Sequence, residues 1–254
     1  MLKLLTLNLH CLEETKLDRN KKIIVDEIIK KDIDIIFLQE VAQYHENQLI
    51  MGTIKESNYG YDLQQLLLEK GIQYHYDYVP IKHSFGKYDE GLGVLSKYRF
   101  DTTKAQHISK SIDYYNWKSR KVQSAVIHQG KTKIAILNTH FGWTDEFERF
   151  EDQVDELLKI LPTDLTIIAG DFNVSPISKE YQYLQSKNLH DLFYNNDEEY
   201  KYISTHVNDM DFHTGENRID YFFSNKKIEV VDREILFTDP LVSDHYGVYI
   251  CIKI

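Results

Sequence analysis

Short, nearly continuous apolar runs alternate along the chain with longer segments whose apolar residues recur at helical spacing. The first run, Leu2 to Leu9, predicts a strand, and the segment Asn20 to Lys31 places Ile24 and Ile28 on one face of a helix. Ile33 to Gln39 is a second apolar run and predicts a buried strand after that helix. This order of strand, helix and strand is typical of α/β architecture.

The same order of elements returns in the second half of the chain. Three segments predict a strand, a helix and a buried strand in turn, namely Ile134 to Thr139, Glu146 to Leu161 and Leu165 to Ala169. Asp145 with Glu148 three residues later is a candidate capping pair, and Pro162 is expected to end the helix. We expect one helical face to bury Phe147, Phe150, Val154, Leu157, Leu158 and Leu161.

Further apolar runs and one polar segment complete this outline. The runs predict three more strands, at Gly91 to Leu95, Asp220 to Phe223 and Val248 to Ile252. The segment Gln182 to Gly215 is rich in Asn, Asp and Tyr and predicts long loops.

Polar residues at the strand ends extend the repeat. Leu7-Asn8-Leu9-His10 corresponds to Leu137-Asn138-Thr139-His140, and Gln39-Glu40 corresponds to Gly170-Asp171 at a nearly constant offset. Two matches in nearly the same register indicate two similar halves that face each other. The polar strand ends of such a molecule are expected to converge on one rim.

Length and composition agree with an ordinary globular protein. The chain has 254 residues, of which 42% are hydrophobic and 28% charged, which argues against disorder, a collagen-like repeat or a coiled coil. We expect one domain over residues 1–254. The apolar runs are far shorter than the roughly 20 residues that span a bilayer, so we expect no membrane partner.

Charge, cysteine content and the N-terminal sequence bear on the expected partners and location of the protein. The net charge of −10 provides no basic surface of the kind that nucleic-acid binders usually carry. The two cysteines, Cys11 and Cys251, cannot form a disulfide framework and are expected to be reduced. Asn8 and His10 interrupt the N-terminal apolar run before a signal peptide's apolar region is complete, so we expect a cytoplasmic protein.

The candidate chemistry lies at the strand ends. Carboxylate, amide and imidazole groups gather there: Asn8, Glu40, His140, Asp171, Asn173, Asp220, Asp244 and His245. Oxygen ligands without a cysteine cluster favour Mg²⁺, with Mn²⁺ as the alternative, and the remaining groups suit proton transfer during phosphate-ester hydrolysis. Each residue alone has an ordinary structural interpretation, such as helix capping for Glu40 or a turn at Asp171. The set as a whole favours catalysis.

Several motifs together resemble the endonuclease/exonuclease/phosphatase superfamily. They are Leu7-Asn8, Leu38-Gln39-Glu40-Val41, Asn138-Thr139-His140, Gly170-Asp171-Phe172-Asn173, Arg218-Ile219-Asp220-Tyr221 and Ser243-Asp244-His245-Tyr246-Gly247. The resemblance spans nearly the whole chain. It implies a deoxyribonuclease-like fold, a four-layered α/β/β/α sandwich built from two similar halves, and a Mg²⁺-dependent phosphoesterase activity.

The resemblance also implies a role for each site residue. A metal would be held by Asn8, Glu40 and Asp244. Asp171 and Asn173 would position the attacking water and the phosphate, and Asp220 would orient His245. His140 would act on the phosphate or the leaving group. An inactive protein-binding module is disfavoured, because every one of these positions carries the family's residue type.

The segments around the site resemble a bacterial branch that dephosphorylates maltose 6'-phosphate. The resemblance rests on Tyr88-Asp89-Glu90-Gly91, Tyr115-Asn116-Trp117-Lys118 and Gly142-Trp143, and it implies a small sugar phosphate as the substrate. An aromatic face beside His140 suits a sugar ring, and Lys118, Arg120 and Lys121 are alternative contacts for the phosphate. The predicted substrate-binding residues are Glu90, Trp117, Arg120 and Trp143. The two tryptophans are either platforms for a sugar ring or packing residues under loops. A nuclease and a sphingomyelinase-like phosphodiesterase are the rival enzymes. The second is disfavoured because neither an export signal nor an exposed apolar hairpin is evident in the sequence.

Overall fold

The computed structural model of the protein describes residues 1–10, 15–145, 147–161, 165–194, 197–207 and 217–254. Its strands are β1 (Leu2–Asn8), β2 (Ile35–Tyr44), β3 (Leu49–Met51), β4 (Ile54–Lys55), β5 (His75–Ser84), β6 (Tyr88–Ser96), β7 (Thr102–His107), β8 (Lys121–Gln129), β9 (Thr132–His140), β10 (Leu165–Asp171), β11 (His190–Asp191), β12 (Asp220–Ser224), β13 (Glu229–Leu236) and β14 (Gly247–Lys253). Its helices are α1 (Leu17–Lys31), α2 (Tyr59–Glu69), α3 (Phe150–Leu158), α4 (Lys179–Ser186) and α5 (Glu198–Lys201).

Two six-stranded sheets share one plan. Their strand orders are β13-β14-β1-β2-β6-β5 and β7-β8-β9-β10-β12-β11. In each sheet the two central strands are parallel, and the strands on either side of them are antiparallel. β1 and β9 thus occupy equivalent positions, as do β2 and β10. This confirms the two similar halves expected from the repeated polar motifs.

The two sheets pack face to face, and helices cover their outer surfaces. Along β1, Leu4 lies in the apolar core between the sheets, whereas the next residue, Leu5, packs in the core beneath α1 and α2. Phe37 of the first sheet meets Phe222 of the second edge-on, with ring centroids 5.8 Å apart. α3 and α4 cover the second sheet through a third apolar core. The order helix, sheet, sheet, helix confirms the expected α/β/β/α sandwich.

The strands predicted from apolar runs are all present, with shifted ends. The predicted strand Ile33 to Gln39 is observed at Ile35–Tyr44, because it continues past Glu40 in antiparallel pairing with β6. The first helix is also longer than predicted and ends where Asp32 adopts a left-handed backbone with φ of 54°. Pairing partners, which local periodicity does not reveal, set these ends.

The predicted helix from Glu146 to Leu161 is wrong at both ends. The observed helix is Phe150–Leu158, and Glu146 lies outside the described residues. Asp145 Oδ1 accepts hydrogen bonds from the backbone nitrogens of Phe147 (2.8 Å) and Glu148 (2.7 Å), so it caps a turn that precedes the helix. Phe147 is 53% exposed and does not share the buried face.

The proposed capping partner Glu148 also has another role. Its carboxylate accepts hydrogen bonds from the backbone nitrogens of Lys110 (3.0 Å) and Ser111 (2.9 Å), which tie a distant loop to this turn. A long-range contact therefore replaces the predicted capping box. Pro162, predicted to end the helix, lies outside the described residues.

The segment predicted as loops, Gln182 to Gly215, contains more regular structure than expected. It includes most of α4, the short strand β11 and α5, while residues 208–216 lie outside the described part of the chain. Tyr181 and Leu184 bury one face of α4, and the Ser178 hydroxyl caps it by accepting from the nitrogen of Tyr181. A helix with so few apolar residues gives a weak periodic signal.

An exposed apolar hairpin is present, contrary to the sequence-based expectation. β3 pairs with β4, and its residues Leu49, Ile50 and Met51 are 63%, 45% and 56% exposed. The hairpin is too short to produce a recognisable strand pattern in the sequence.

Two further expectations concern the cysteines and the membrane. Cys251 is a buried free thiol in β14, whereas Cys11 lies outside the described residues. Within the described ranges, no helix is long and apolar enough to cross a bilayer.

Candidate active site

The parallel central strands bring the predicted site residues together. Asn8 ends β1, and His140 and Asp171 are register partners at the ends of β9 and β10. Glu40 lies in β2 where the pairing with β6 shifts register between Leu38 and Val41. Carboxyl ends of parallel strands lie on the same edge of a sheet, so the two facing sheets direct all four side chains to one rim.

A cavity of about 1080 Å³ opens at this rim. Ten of the twelve predicted site residues line it: Glu40, Glu90, Trp117, Arg120, His140, Trp143, Asp171, Asn173, Asp244 and His245. Asn8 and Asp220 are 0% and 1% exposed and do not line the cavity. They form hydrogen bonds with the lining residues Glu40 and His245, respectively. The structure therefore brings together the whole predicted set.

Backbone strain is concentrated around the cavity. Seven described non-glycine residues have a left-handed φ, and four of them line the cavity: His10, Glu40, Phe85 and Asn173. Such conformations are costly for L-residues and are found most often at functional sites. Gly170 precedes Asp171 with a φ of 144°, and a Cβ atom there would lie 1.9 Å from the carbonyl oxygen of Thr139. Only glycine permits this close approach of β9 and β10.

Asn8 connects the acidic groups of the two sheets. Its Nδ2 donates to Glu40 Oε1 at 3.1 Å and to Asp171 Oδ2 at 3.0 Å. Its Oδ1 accepts from the backbone nitrogen of His10 at 3.1 Å. In this orientation the Asn8 amide nitrogen holds both carboxylates in position. To bind a metal, Asn8 would have to direct its amide oxygen toward the ion.

Asp171 is the central carboxylate of the site. Its Oδ1 accepts from the backbone nitrogen of Asn173 at 2.9 Å, and its Oδ2 lies 3.5 Å from His140 Nε2 and 3.8 Å from His245 Nε2. Burial, reinforced by the charge of Asp220 and opposed by His245, raises the pKa of Asp171 to about 7. A carboxyl group with that pKa can accept and return a proton near neutral pH.

His245 and Asp220 form a buried ion pair. His245 Nδ1 lies 2.9 Å from Asp220 Oδ2. Burial favours the neutral ring, but the charge and hydrogen bond of Asp220 outweigh it and raise the pKa of His245 to about 10. The backbone nitrogen of Asp220 donates to the hydroxyl of Thr205 at 3.1 Å, which fixes the start of β12. The orientation of His245 by Asp220, expected from the family resemblance, is thus consistent with the geometry.

His140 has the opposite electrostatics. Complete burial and the nearby cations Arg120 and Lys82 hold the pKa of His140 well below its usual value. The imidazole is therefore neutral at physiological pH. Two histidines on one carboxylate, one cationic and one neutral, provide a charge stabiliser and an uncharged hydrogen-bonding group.

The environment of Glu40 fits a divalent cation. Burial and the charge of Glu90 raise the pKa of Glu40, since two carboxylates share a poorly solvated wall of the cavity. Among the described residues, three groups of His and carboxylate side chains lie close enough to share a metal ion, and none of them includes Glu40. Two of the three groups are at this cavity, Asp171 with Asp220 and His245, and His206 with Asp244 and His245. A divalent cation would offset this concentration of buried negative charge.

Several cavity residues were not predicted from the sequence, and two of them contact predicted site residues. Lys82, 8% exposed, lies 2.9 Å from Glu90 Oε1 through its Nζ. His206 lies with its Nε2 3.5 Å from Asp244 Oδ2 and packs edge-on against His245. Lys82 follows the short apolar run Val79-Pro80-Ile81, a signal that could have marked it, whereas His206 follows no such run, and neither belongs to the family motifs.

The mouth of the cavity carries aromatic side chains. Trp117 and Trp143 are each 60% exposed, which disfavours the interpretation that they merely pack under loops. Arg120, by contrast, is 4% exposed, and its Nη1 donates to the carbonyl oxygens of Trp117 (2.7 Å) and Ser119 (3.0 Å). The cavity thus has an ionic floor and an aromatic mouth.

The family profile described as "Endonuclease/Exonuclease/phosphatase family" matches residues 5–245 of the chain. The matched region contains every residue of the candidate site. A comparison with curated protein sequences found no match.

Solved structures share the fold over the full chain. An endonuclease/exonuclease/phosphatase family protein from Leptotrichia buccalis is similar, with 25% identity, a TM-score of 0.90 and complete coverage of both chains. A mannosyl-6-phosphatase from Bacteroides thetaiotaomicron has 17% identity, a TM-score of 0.68 and complete coverage of both chains. A TDP2 protein from D. rerio, complexed with single-strand DNA product, has 15% identity and a TM-score of 0.70, covering 100% of this chain and 99% of its own.

Proposed function

Because the chain belongs to the endonuclease/exonuclease/phosphatase family, whose members are metal-dependent hydrolases of phosphate esters, we propose that it removes the phosphate group from a sugar phosphate. The observation that carries this proposal is the single cavity that joins a buried acidic and imidazole floor to two exposed tryptophans.

The floor of the cavity suits hydrolysis by water. A water oxygen attacks phosphorus while the bond from phosphorus to the sugar oxygen breaks. Asp171, with a pKa of about 7, accepts a proton from the water, and cationic His245 returns one to the leaving sugar oxygen. Neutral His140 donates a hydrogen bond to the phosphate, and Asn173 helps to position it. The products are the free sugar and inorganic phosphate.

A divalent cation would be held by Glu40, with Asp244 and Asn8 as the further candidate ligands. When bound, it supplies positive charge to the phosphate oxygens. We propose Mg²⁺, with Mn²⁺ as a possible substitute, because the candidate donors are mainly oxygens.

The mouth of the cavity supports a sugar rather than a long polymer as the ligand. Exposed indole faces are suitable platforms for a sugar ring or a base, and a cavity of about 1080 Å³ is close in size to typical small-molecule sites. The structural neighbour from Bacteroides thetaiotaomicron acts on a mannosyl 6-phosphate. The net charge of −10 is unfavourable for a nucleic-acid backbone, so nucleic acid is the weaker candidate.

The substrate proposal is tested by comparing three phosphate esters with Mg²⁺ present. Purified protein is incubated with maltose 6'-phosphate, supercoiled plasmid and sphingomyelin vesicles. We expect inorganic phosphate from the sugar phosphate and little nicking or lipid cleavage. Plasmid nicking without sugar-phosphate turnover would favour the nuclease. Cleavage of sphingomyelin alone would favour a lipid enzyme that uses the exposed hairpin at Leu49–Met51.

The tryptophan platform is tested by substitution. Trp143→Ala and Trp117→Ala should each lower kcat/KM for the disaccharide phosphate by about 1–3 kcal/mol of transition-state stabilisation, the effect of one stacking contact. A small aryl phosphate should be turned over almost as before. Phe147→Ala is the matched control, because Phe147 is an exposed aromatic residue near Trp143 that does not line the cavity. An equal loss for both substrates would contradict the platform.

A further inference from the structure

Lys82 is a buried cation on the cavity wall. It lies in β5 opposite Glu90 of β6, and the two side chains form an ion pair with 2.9 Å between Nζ and Oε1. Glu90 Oε2 accepts a hydrogen bond from the hydroxyl of Ser84 at 2.6 Å. Glu90 therefore has both oxygens engaged, and Lys82 is held in one place.

A second buried cation lies beside Lys82. Lys82 Nζ is 3.5 Å from the carbonyl oxygen of Trp117, and Arg120 Nη1 donates to the same oxygen at 2.7 Å. Arg120 is 4% exposed, and its guanidinium makes no ion pair within the described residues. Two cations thus converge on one carbonyl oxygen, and Glu90 pairs with only one of them.

Within the described residues the Arg120 guanidinium makes no direct ion pair, and its Nε has no hydrogen-bond partner, so it is available to bind an anion in the cavity. The charges of Glu90 and Glu40 act on Arg120 without direct contact, and both cations line the space in which the phosphate ester is proposed to bind. The charge of Lys82 also acts on Glu40 and His140 of the floor, so the ammonium group is close to the reacting phosphate.

The ion pair of Lys55 in β4 and Asp89 in β6 provides a comparison, because it lies outside the cavity. Lys55 Nζ lies 2.7 Å from Asp89 Oδ2, and Asp89 Oδ1 accepts further hydrogen bonds from His45 and Tyr114. The Asp89 carboxylate thus has several hydrogen-bond donors and, within the described residues, only one lysine or arginine partner, Lys55. Neither Lys55 nor Asp89 lines the cavity. The pair of Lys82 and Glu90 instead lies beside a second cation and faces the cavity.

We propose that Lys82, held by Glu90 beside Arg120, binds the phosphate and makes the site prefer phosphate monoesters to diesters. A monoester carries nearly two negative charges at neutral pH, because its second pKa is about 6, whereas a diester carries one. Lysine binds phosphate as a point charge, so its contribution grows with the charge of the ligand. This inference rests on the proposed function, since it selects a class of ester for the same site.

The test varies the charge of the ligand and measures the effect on binding and on turnover. Calorimetry in Mg²⁺ compares inorganic phosphate with dimethyl phosphate, and kinetics compare 4-nitrophenyl phosphate with bis(4-nitrophenyl) phosphate. Lys82→Met should reduce phosphate affinity and the monoester-to-diester ratio of kcat/KM by about 10- to 100-fold, the effect of one charged hydrogen bond. Lys82→Arg should retain most of the preference. Lys55→Met is the matched control and should leave both quantities unchanged.

Lys82→Met leaves Glu90 unpaired, so a second variant guards against misfolding. The double variant Lys82→Met/Glu90→Gln removes both charges, and its monoester-to-diester ratio is compared with that of Glu90→Gln alone. A lower ratio in the double variant supports the proposal. An unchanged ratio, or an equal loss for monoester and diester, overturns it. The two proposals can fail separately. If the wild type does not turn over sugar phosphates but Lys82→Met still loses phosphate binding, the sugar substrate is wrong and the role of Lys82 in monoester binding is supported.

Discussion

The two sheets share one plan but divide the chemistry between them. Asn8 and Asn138 lie on the equivalent strands β1 and β9, at matching places in the repeated sequence motif, and both are fully buried. Asn8 donates to Glu40 and Asp171 at the cavity floor. Asn138 donates to the carbonyl oxygens of Leu38 (2.9 Å) and Gly93 (3.0 Å), which are in the other sheet. The same residue type on equivalent strands thus contacts candidate catalytic carboxylates of both sheets at Asn8 and backbone carbonyl oxygens of the other sheet at Asn138.

The carboxylates on the neighbouring strands β2 and β10 also have different surroundings. Glu40 of β2 faces Glu90 and offers a candidate metal ligand, whereas Asp171 of β10 lies between His140 and His245 and suits proton transfer. Asp220 begins β12 of the second sheet, while His245 precedes β14 of the first. The ion pair between them crosses from one sheet to the other. A symmetric fold therefore supports an asymmetric site that neither half completes alone.

The largest effect is expected from breaking the ion pair that crosses the sheets. His245→Gln removes the cation beside Asp171, so kcat should fall on the order of 10²- to 10⁴-fold, as for a lost acid–base or charge-stabilising group. Steady-state phosphate release measures this. His190→Gln, in the short strand β11 outside the cavity, is the control and should retain activity. A His245→Gln enzyme with wild-type kcat would show that the pair is only structural.

The first sheet is tested by removing its candidate metal ligand. Glu40→Gln keeps the shape of the side chain but removes its charge, so metal affinity measured by calorimetry should fall by about 10- to 100-fold, together with the rate. Glu229→Gln, in an exposed ion pair with Lys253, should change neither. Unchanged metal affinity with a lower rate would place the metal elsewhere.

Substitution of Asn8 and substitution of Asn138 are expected to have different effects on stability and kcat. Asn138→Ala leaves buried polar partners unsatisfied and should lower the free energy of unfolding by about 1–3 kcal/mol, with kcat little changed in the folded fraction. Asn8→Ala should lower kcat more than stability, because Glu40 and Asp171 lose their shared donor. Chemical denaturation and kinetics separate the two outcomes. The same phenotype in both variants would contradict the division of labour.

The smallest effect concerns pH and stability. The pKa of His245 is raised from 6.5 to about 10 in the folded protein, so its charge stabilises the fold fully below pH 6.5 and progressively less as pH rises toward 10. In EDTA, the melting temperature of the wild type should therefore fall over this range, by about 2–4 °C for each kcal/mol lost. His245→Gln should show a smaller decline. Parallel curves would contradict a charged His245.

The sequence was most informative where strands are buried on both faces. The runs at Leu2, Ile33, Ile134 and Leu165 are nearly continuous, because each strand packs on a helix layer and on the opposite sheet. The polar residues that interrupt such runs stood out for the same reason. This made the convergence of Asn8, Glu40, His140 and Asp171 predictable.

Contacts between distant segments were not predictable. Glu148 fitted a local capping pattern, but the backbone of Lys110 and Ser111 takes its carboxylate. Lys82 is an ordinary lysine in the sequence, and only the pairing of β5 with β6 and the loop of Arg120 make it a buried cation at the cavity. Such residues acquire their role from tertiary structure rather than from local spacing.

Metal add-back tests whether groups from both sheets form one metal-dependent phosphatase site. Protein stripped with EDTA is assayed for phosphate release from maltose 6'-phosphate before and after addition of excess Mg²⁺. We expect no turnover in EDTA and full recovery with Mg²⁺, while a Glu40→Gln or His245→Gln enzyme stays impaired at the same Mg²⁺ concentration. Full turnover by the wild type in excess EDTA would contradict this expectation.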